Sequence, residues 1–245
     1  MQAPSMSILL LSDPADPLHA PLCAALAARG SVRHVGADVS DEELGRQALG
    51  CTAIVALGDG WATRGALLGA AGLPGVRRLL LVVRGVPDLT ALRRKGVPYT
   101  VIRPAPLTED LLAALRPALD RGRLHLARGS DPQLALLSRQ DLGAYVAWAL
   151  TEPHCCGRFL EPAAPGRPRL SEVAMRAAAA AGRPLKVSEV PGWAARALSV
   201  LSWRPFQIPA ELVRQVPEPE ELDFPGPWQD LADLVSAPSA AVGAG

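Results

Sequence analysis

Short apolar strands alternating with amphipathic helices predict an α/β fold with a mainly parallel sheet and helices on both faces. Three observations carry this. Strand-like runs recur after successive helical stretches. The run Leu79-Leu80-Leu81-Val82-Val83 is apolar throughout, as in parallel strands covered on both faces. The 245 residues, 49% of them hydrophobic, suffice for one sizeable core, so a single main domain is the default.

The first unit has the clearest boundaries. Ser7-Ile8-Leu9-Leu10-Leu11 reads as a buried strand. Asp16-Pro17 supplies an N-cap with proline in the first turn, and a helix over 18–29 stops at Gly30. A short strand over 32–35 follows, then a helix over 41–49 capped by Ser40 or Asp41, a strand over 52–57 and a helix over 64–71. A strand over 77–83, a short helix over 89–95 and a strand over 98–102 continue the alternation, and right-handed crossovers place these strands side by side.

Beyond Arg103-Pro104 the pattern loosens. It predicts a helix over 108–119, a small hairpin over 123–127, a helix over 140–150 and a strand at Phe159-Leu160. Further on come a helix over 170–181, an extended stretch over 185–190 and helices over 193–201 and 228–235. The division expected is a core over 1–150, a small C-terminal subdomain and tail over 151–235, and a disordered end over 236–245, where small residues dominate.

Charge excludes some function classes. With 25 basic and 24 acidic residues the net charge is +1, which leaves no electrostatic footprint for nucleic acid or an anionic membrane surface. No run approaches the roughly 20 apolar residues of a membrane-spanning helix, and residues 1–7 lack a signal-peptide pattern. A soluble, cytoplasmic protein is expected. Cys23, Cys51, Cys155 and Cys156 lack CxxC spacing, so reduced thiols are expected. His154-Cys155-Cys156 is not read as a metal site, because three consecutive side chains do not converge easily on a tetrahedral ion. With 5 Trp, 2 Tyr and 3 Phe, the core must be built from small aliphatic residues.

Several spaced phrases together resemble the NmrA-like and other atypical short-chain dehydrogenase/reductases. They are Gly75-Val76-Arg77-Arg78-Leu79 before a strand, Gly96-Val97-Pro98-Tyr99-Thr100-Val101-Ile102-Arg103-Pro104, and Ser138-Arg139-Gln140-Asp141-Leu142-Gly143-Ala144-Tyr145. Leu170-Ser171-Glu172-Val173 with Gly182-Arg183-Pro184, and Gly36-Ala37-Asp38-Val39-Ser40-Asp41, fit the same family order over about residues 7–203. The resemblance implies a Rossmann-like fold and an NAD(P) cofactor. More faintly, Ile208-Pro209-Ala210-Glu211-Leu212-Val213-Arg214-Gln215 and Pro225-Gly226-Pro227-Trp228-Gln229-Asp230-Leu231 resemble the nucleotide-binding accessory subunit of respiratory complex I and its bacterial relatives.

The cofactor loop departs from the family. Dinucleotide folds place G-x-x-G-x-x-G after the first strand, because glycines allow close backbone approach and helix N–H groups hold the pyrophosphate. Here the stretch is Ser12-Asp13-Pro14-Ala15-Asp16-Pro17-Leu18. Pro14 and Pro17 withhold N–H donors, and Asp13 and Asp16 bring carboxylates where phosphates would sit. Dinucleotide binding is therefore expected to be weak or absent. Asp16 also reads as a helix cap alone, whereas Ser12 and Asp13 could meet a neutral or cationic ligand, or a nucleoside without pyrophosphate.

The remaining candidate positions follow from the sheet's carboxyl edge. One strand is missing relative to the family, or two have merged, so Arg33 and His34 are ribose candidates by position only; a solvated strand edge accounts for both. By resemblance, Asp38 and Val39 lie near an adenine. Gly58-Asp59-Gly60 follows a strand and shapes either a ligand loop or a plain turn. Arg84 and Arg103, at strand ends, could bind an anion or form ion pairs.

The family's catalytic set is a Ser or Thr after a central strand with a Tyr-x-x-x-Lys pair for proton transfer. Here the strand ends Val82-Val83-Arg84-Gly85, and residues 87–95 contain no tyrosine. No other catalytic set stands out, since the four histidines are scattered and no G-x-S-x-G elbow occurs. The preferred reading is a non-catalytic binding or scaffold protein with a small-molecule or protein partner. An NAD(P)H-dependent oxidoreductase or epimerase with an unorthodox site, and an accessory subunit of a respiratory complex, stay open.

Overall fold

The structure is a computed structural model that describes residues 6–36, 38–61, 64–85, 87–191, 224, 226, 228 and 229. The helix expected over 193–201, that over 228–235 beyond Gln229, and the end over 236–245 lie outside them, as does most of the stretch resembling a complex I subunit.

Six strands form one parallel sheet in the order β2-β1-β3-β4-β5-β7. They are β1 (Met6–Leu11), β2 (Gly30–Val35), β3 (Ala53–Leu57), β4 (Arg78–Val82), β5 (Tyr99–Ile102) and β7 (Phe159–Leu160), and every pairing between them is parallel. The four strands expected to share a sheet do so, within a residue or two of the expected ends. Among the described residues β2 is the outermost strand on its side of the sheet.

Helices cover both faces because the central strands are apolar on both. Leu9, Leu11, Ile54, Ala56, Leu79 and Leu81 pack with Leu44 of α2 (Asp41–Ala48), Leu67 of α3 (Gly65–Ala71) and Leu92 of α4 (Thr90–Lys95). On the other face, α1 (His19–Ala27) packs against α6 (Arg139–Thr151). Gly143 permits this contact, since a Cβ there would stand 2.8 Å from the carbonyl oxygen of Pro21.

The chain divides into two compact units that interleave along the sequence. The first comprises residues 1–104, 139–162 and 218–226; the second comprises 105–138, 163–217 and 227–245. A boundary at 150 falls inside α6, which belongs to the first unit. In the second unit, α5 (Thr108–Arg121) and α7 (Leu170–Ala180) bury Leu111, Leu115, Val173 and Ala174 with Leu124 and Leu126 of β6 (Arg123–Ala127). The hairpin expected over 123–127 is not formed. β6 instead pairs in parallel with β8 (Lys186–Val190), because the alternating leucines need a neighbour over the same core and Leu185 and Val187 supply it.

Candidate functional site

Parallel strands bring their carboxyl ends to one edge of the sheet, the usual ligand edge of open α/β folds. Ser12, Gly58, Arg84 and Arg103 all follow strand ends there, while Asp38 and Val39 lie in the turn after β2.

Ser12 is fully buried and engaged on all sides. Its N–H donates to the Val35 carbonyl at 3.2 Å, its carbonyl accepts from His34 Nε2 at 2.9 Å, and its Oγ lies 2.7 Å from His19 Nδ1. The two imidazoles meet edge to face with centroids 4.4 Å apart, and His19 Nε2 lies 3.5 Å from Cys23 Sγ, whose thiol pKa burial raises. A serine in that position holds the loop to the sheet and offers no hydroxyl to a ligand.

The rest of the loop supplies its own anions. Asp13 Oδ1 accepts from the Ala15 N–H at 2.9 Å and Asp16 Oδ1 from the Leu18 N–H at 2.8 Å. The Asp16 and His19 N–H groups donate to the carbonyls of Asp13 and Asp16 at 3.0 and 2.8 Å. With Pro14 and Pro17 lacking a donor, each N–H from residue 14 to 19 is absent or taken. These residues do not fit a pyrophosphate. Asp16 is not the N-cap expected: that position is Leu18, which has no side-chain cap, and Asp16 Oδ1 only closes the turn leading into α1. Regular i to i+4 bonding begins with Leu22 N–H on the Leu18 carbonyl, so the helix proper opens at His19.

The turn after β2 is closed in a comparable way. Asp38 is exposed with Oδ1 over Gly36, where a Cβ would come within 2.8 Å of it. The Val39 carbonyl accepts from the Arg64 guanidinium, whose Nε also donates to Asp41 Oδ1 at 3.0 Å. The guanidinium carbon lies 5.0 Å from the Trp61 ring centroid, a cation–π distance. Arg33 donates to the Leu49 carbonyl and Cys51 Sγ, both at 2.8 Å, and so serves the turn after α2.

At the ends of β3 and β4, Gly58 (φ +111°) adopts a backbone that only glycine takes readily, with its N–H on the Val82 carbonyl at 2.9 Å. The turn brings in Asp59, whose Oδ1 accepts from the Arg84 and Gly85 N–H groups at 2.8 and 3.2 Å. Arg84 keeps its side chain exposed. Arg103 is an ion-pair residue: its Nε donates to Glu161 Oε1 at 2.6 Å, and its guanidinium lies 5.1 Å from the Phe159 ring.

Neither tyrosine stands in a family-type pair. Tyr145 is buried against Trp148 and Phe224, and desolvation pushes its phenol above the usual range. Tyr99 Oη accepts from Arg93 Nε at 3.1 Å. The chain has two lysines, Lys95 at the end of α4 and Lys186 in β8. Cys155 is buried, its thiol pKa pushed up to about 11, chiefly by desolvation, while Cys156 is exposed. Among the described residues no group of three His, Cys, Asp or Glu could hold a metal, and no helix is long and apolar enough to cross a membrane.

Sequence reasoning missed the parts played by His19, Arg64 and Glu161, and named Asp59 only within its Gly-Asp-Gly turn. Asp59 alone carried a local signal, an acidic residue between two glycines directly after a strand. The others take partners distant in sequence or, for His19, a partner seven residues back that no motif announces.

No protein-family model matches this chain, and neither does any curated protein. Solved structures do share its fold. An NADPH-dependent quinone oxidoreductase of Escherichia coli aligns with a TM-score of 0.62 at 20% identity, covering 96% of this chain and 91% of that one. A nucleoside-diphosphate-sugar epimerase of Staphylococcus aureus aligns at 0.60 and 16% identity over 93% and 99%. The triphenylmethane reductase of Citrobacter sp., complexed with NADP(H), aligns at 0.57 and 17% over 80% and 84%. The chain thus shares the Rossmann-type α/β fold of these solved structures.

Proposed function

We propose that this chain is a divergent relative of the atypical short-chain dehydrogenase/reductases that works as a non-catalytic binding or scaffold protein. One observation carries the reading: Asp13 and Asp16 occupy the backbone donors that a pyrophosphate would need. A phosphate brought to about 4 Å from either carboxylate meets roughly 4 kcal/mol of repulsion at an effective dielectric near 20, about three decades in affinity. The seating of Tyr145 and the lack of a hydroxyl residue after β4 support the loss of the proton-transfer set.

The solved neighbours make NADPH and a quinone the natural test pair. Purified protein incubated with NADPH and a soluble quinone is expected to consume no NADPH above the uncatalysed rate. Saturable consumption that disappears on heat denaturation would sink the proposal and favour an oxidoreductase with an unorthodox site.

A further inference from the structure

Parallel pairing of β6 with β8 sets Arg123 directly opposite Lys186 and His125 directly opposite Ser188. Leu124, Leu126 and Val187 turn to the core of the second unit, so by strand alternation Arg123, Lys186, His125 and Ser188 share the outer face. The 2.7 Å contact between His125 Nδ1 and Ser188 Oγ establishes that common face and holds the register beneath the two cations. Both cationic residues are exposed. Among the described residues neither forms an ion pair, and the nearby Asp120 is already engaged by Arg183 and, at 3.9 Å, by Arg116.

Like charges directly opposite on neighbouring strands destabilise a sheet, and strands lie only about 5 Å apart. A dianion between them reverses the sign of that interaction. We propose that this face of the ribbon is a binding site for the phosphate group of a small phosphorylated ligand, gripped between Arg123 and Lys186. The cationic part is one residue pair long; His125/Ser188 and then Ala127/Val190 continue the face without fixed charge. That length suits a single oxyanion rather than a chain of phosphates, and with a net charge of +1 a nucleic acid or an anionic membrane has little to hold it.

The site is independent of the dinucleotide loop, so a test with inorganic phosphate leaves the proposed function untouched. Amide NMR shifts of the full chain are followed as inorganic phosphate replaces chloride at constant ionic strength, with glycerol phosphate as a second arm. The expected result is saturable shifts confined to residues 121–127 and 184–190. Binding should weaken by about tenfold or more in Arg123→Gln/Lys186→Gln, the loss of charge-assisted hydrogen bonds, and persist in Arg93→Gln/Arg94→Gln on exposed α4. Equal binding of both probes assigns the contact to the phosphate group. Stronger binding of glycerol phosphate extends it to the ester. Shifts that spread evenly over all basic residues, that never saturate, or that survive the double substitution in a protein with an intact spectrum would overturn the proposal, as would binding of heparin alone.

Discussion

At the carboxyl edge of the six-stranded sheet, Asp13, Asp16 and Asp59 each cover backbone N–H groups, whereas on the outer face of the β6–β8 ribbon Arg123 and Lys186 stand side by side with no carboxylate against them among the described residues. The edge is where this fold ordinarily takes an anion. Here the chain's own side chains already play that part, so substitutions there remove satisfied contacts. The ribbon is the reverse case, in which a substitution can remove a repulsion. Likeness of fold therefore says little about where an anion goes; the local accounting of donors and charges decides it.

The contrast gives each region a different sign of response. Largest is Glu161→Gln, which strips the partly buried Arg103 of its counter-charge, with the two side chains only 20% and 13% exposed. Breaking a well-buried pair costs about 3–5 kcal/mol, and with this residual exposure a loss of about 2–3 kcal/mol is expected in chemical denaturation. Ser12→Ala leaves the His19 ring nitrogen without its close partner and should cost about 1–2 kcal/mol by the same measurement.

Asp59→Ala exposes two N–H groups at a solvated turn and should cost about 1 kcal/mol, whereas Asp59→Asn keeps an acceptor and should lose less than half of that. An equal loss in both variants would mean that charge, not hydrogen bonding, holds the turn. The smallest effect has the opposite sign. Lys186→Glu places an acid opposite Arg123 and should stabilise the protein by about 0.2–1 kcal/mol, read as a raised melting temperature. A fall in stability would show that the two cations are not in repulsive contact and would blunt the contrast.

Local signals carried the elements, and long-range pairing escaped them. The strands over 7–11, 52–57, 77–83 and 98–102 were legible because a short unbroken apolar run between turns suits a strand buried on both faces and little else. The Asp-Pro loop was legible for a similar reason: missing donors and added carboxylates are properties of the residues themselves. In Arg123-Leu124-His125-Leu126-Ala127 the alternation announces a strand but not its partner, which lies about 60 residues further on, and a hairpin was the wrong inference. For Arg103 the sequence left anion binding and ion pairing both open, because its partner Glu161 follows by 58 residues. Asp38 and Val39 were located by resemblance, yet nothing local to them revealed that Arg64 would bind the Val39 carbonyl.

The central claim is that the first loop supplies its own anions and so excludes the dinucleotide. Calorimetric titration of NADPH into the unmodified protein and into Asp13→Gly/Asp16→Gly tests it most directly. The unmodified chain should bind weakly if at all, and the variant should bind at least about tenfold more tightly, with Pro14 and Pro17 limiting the gain by withholding two donors. The fold should survive, since each carboxylate bonds only an N–H two residues further on in a surface loop. Micromolar binding by the unmodified protein, left unchanged or weakened by the double substitution, would contradict the account.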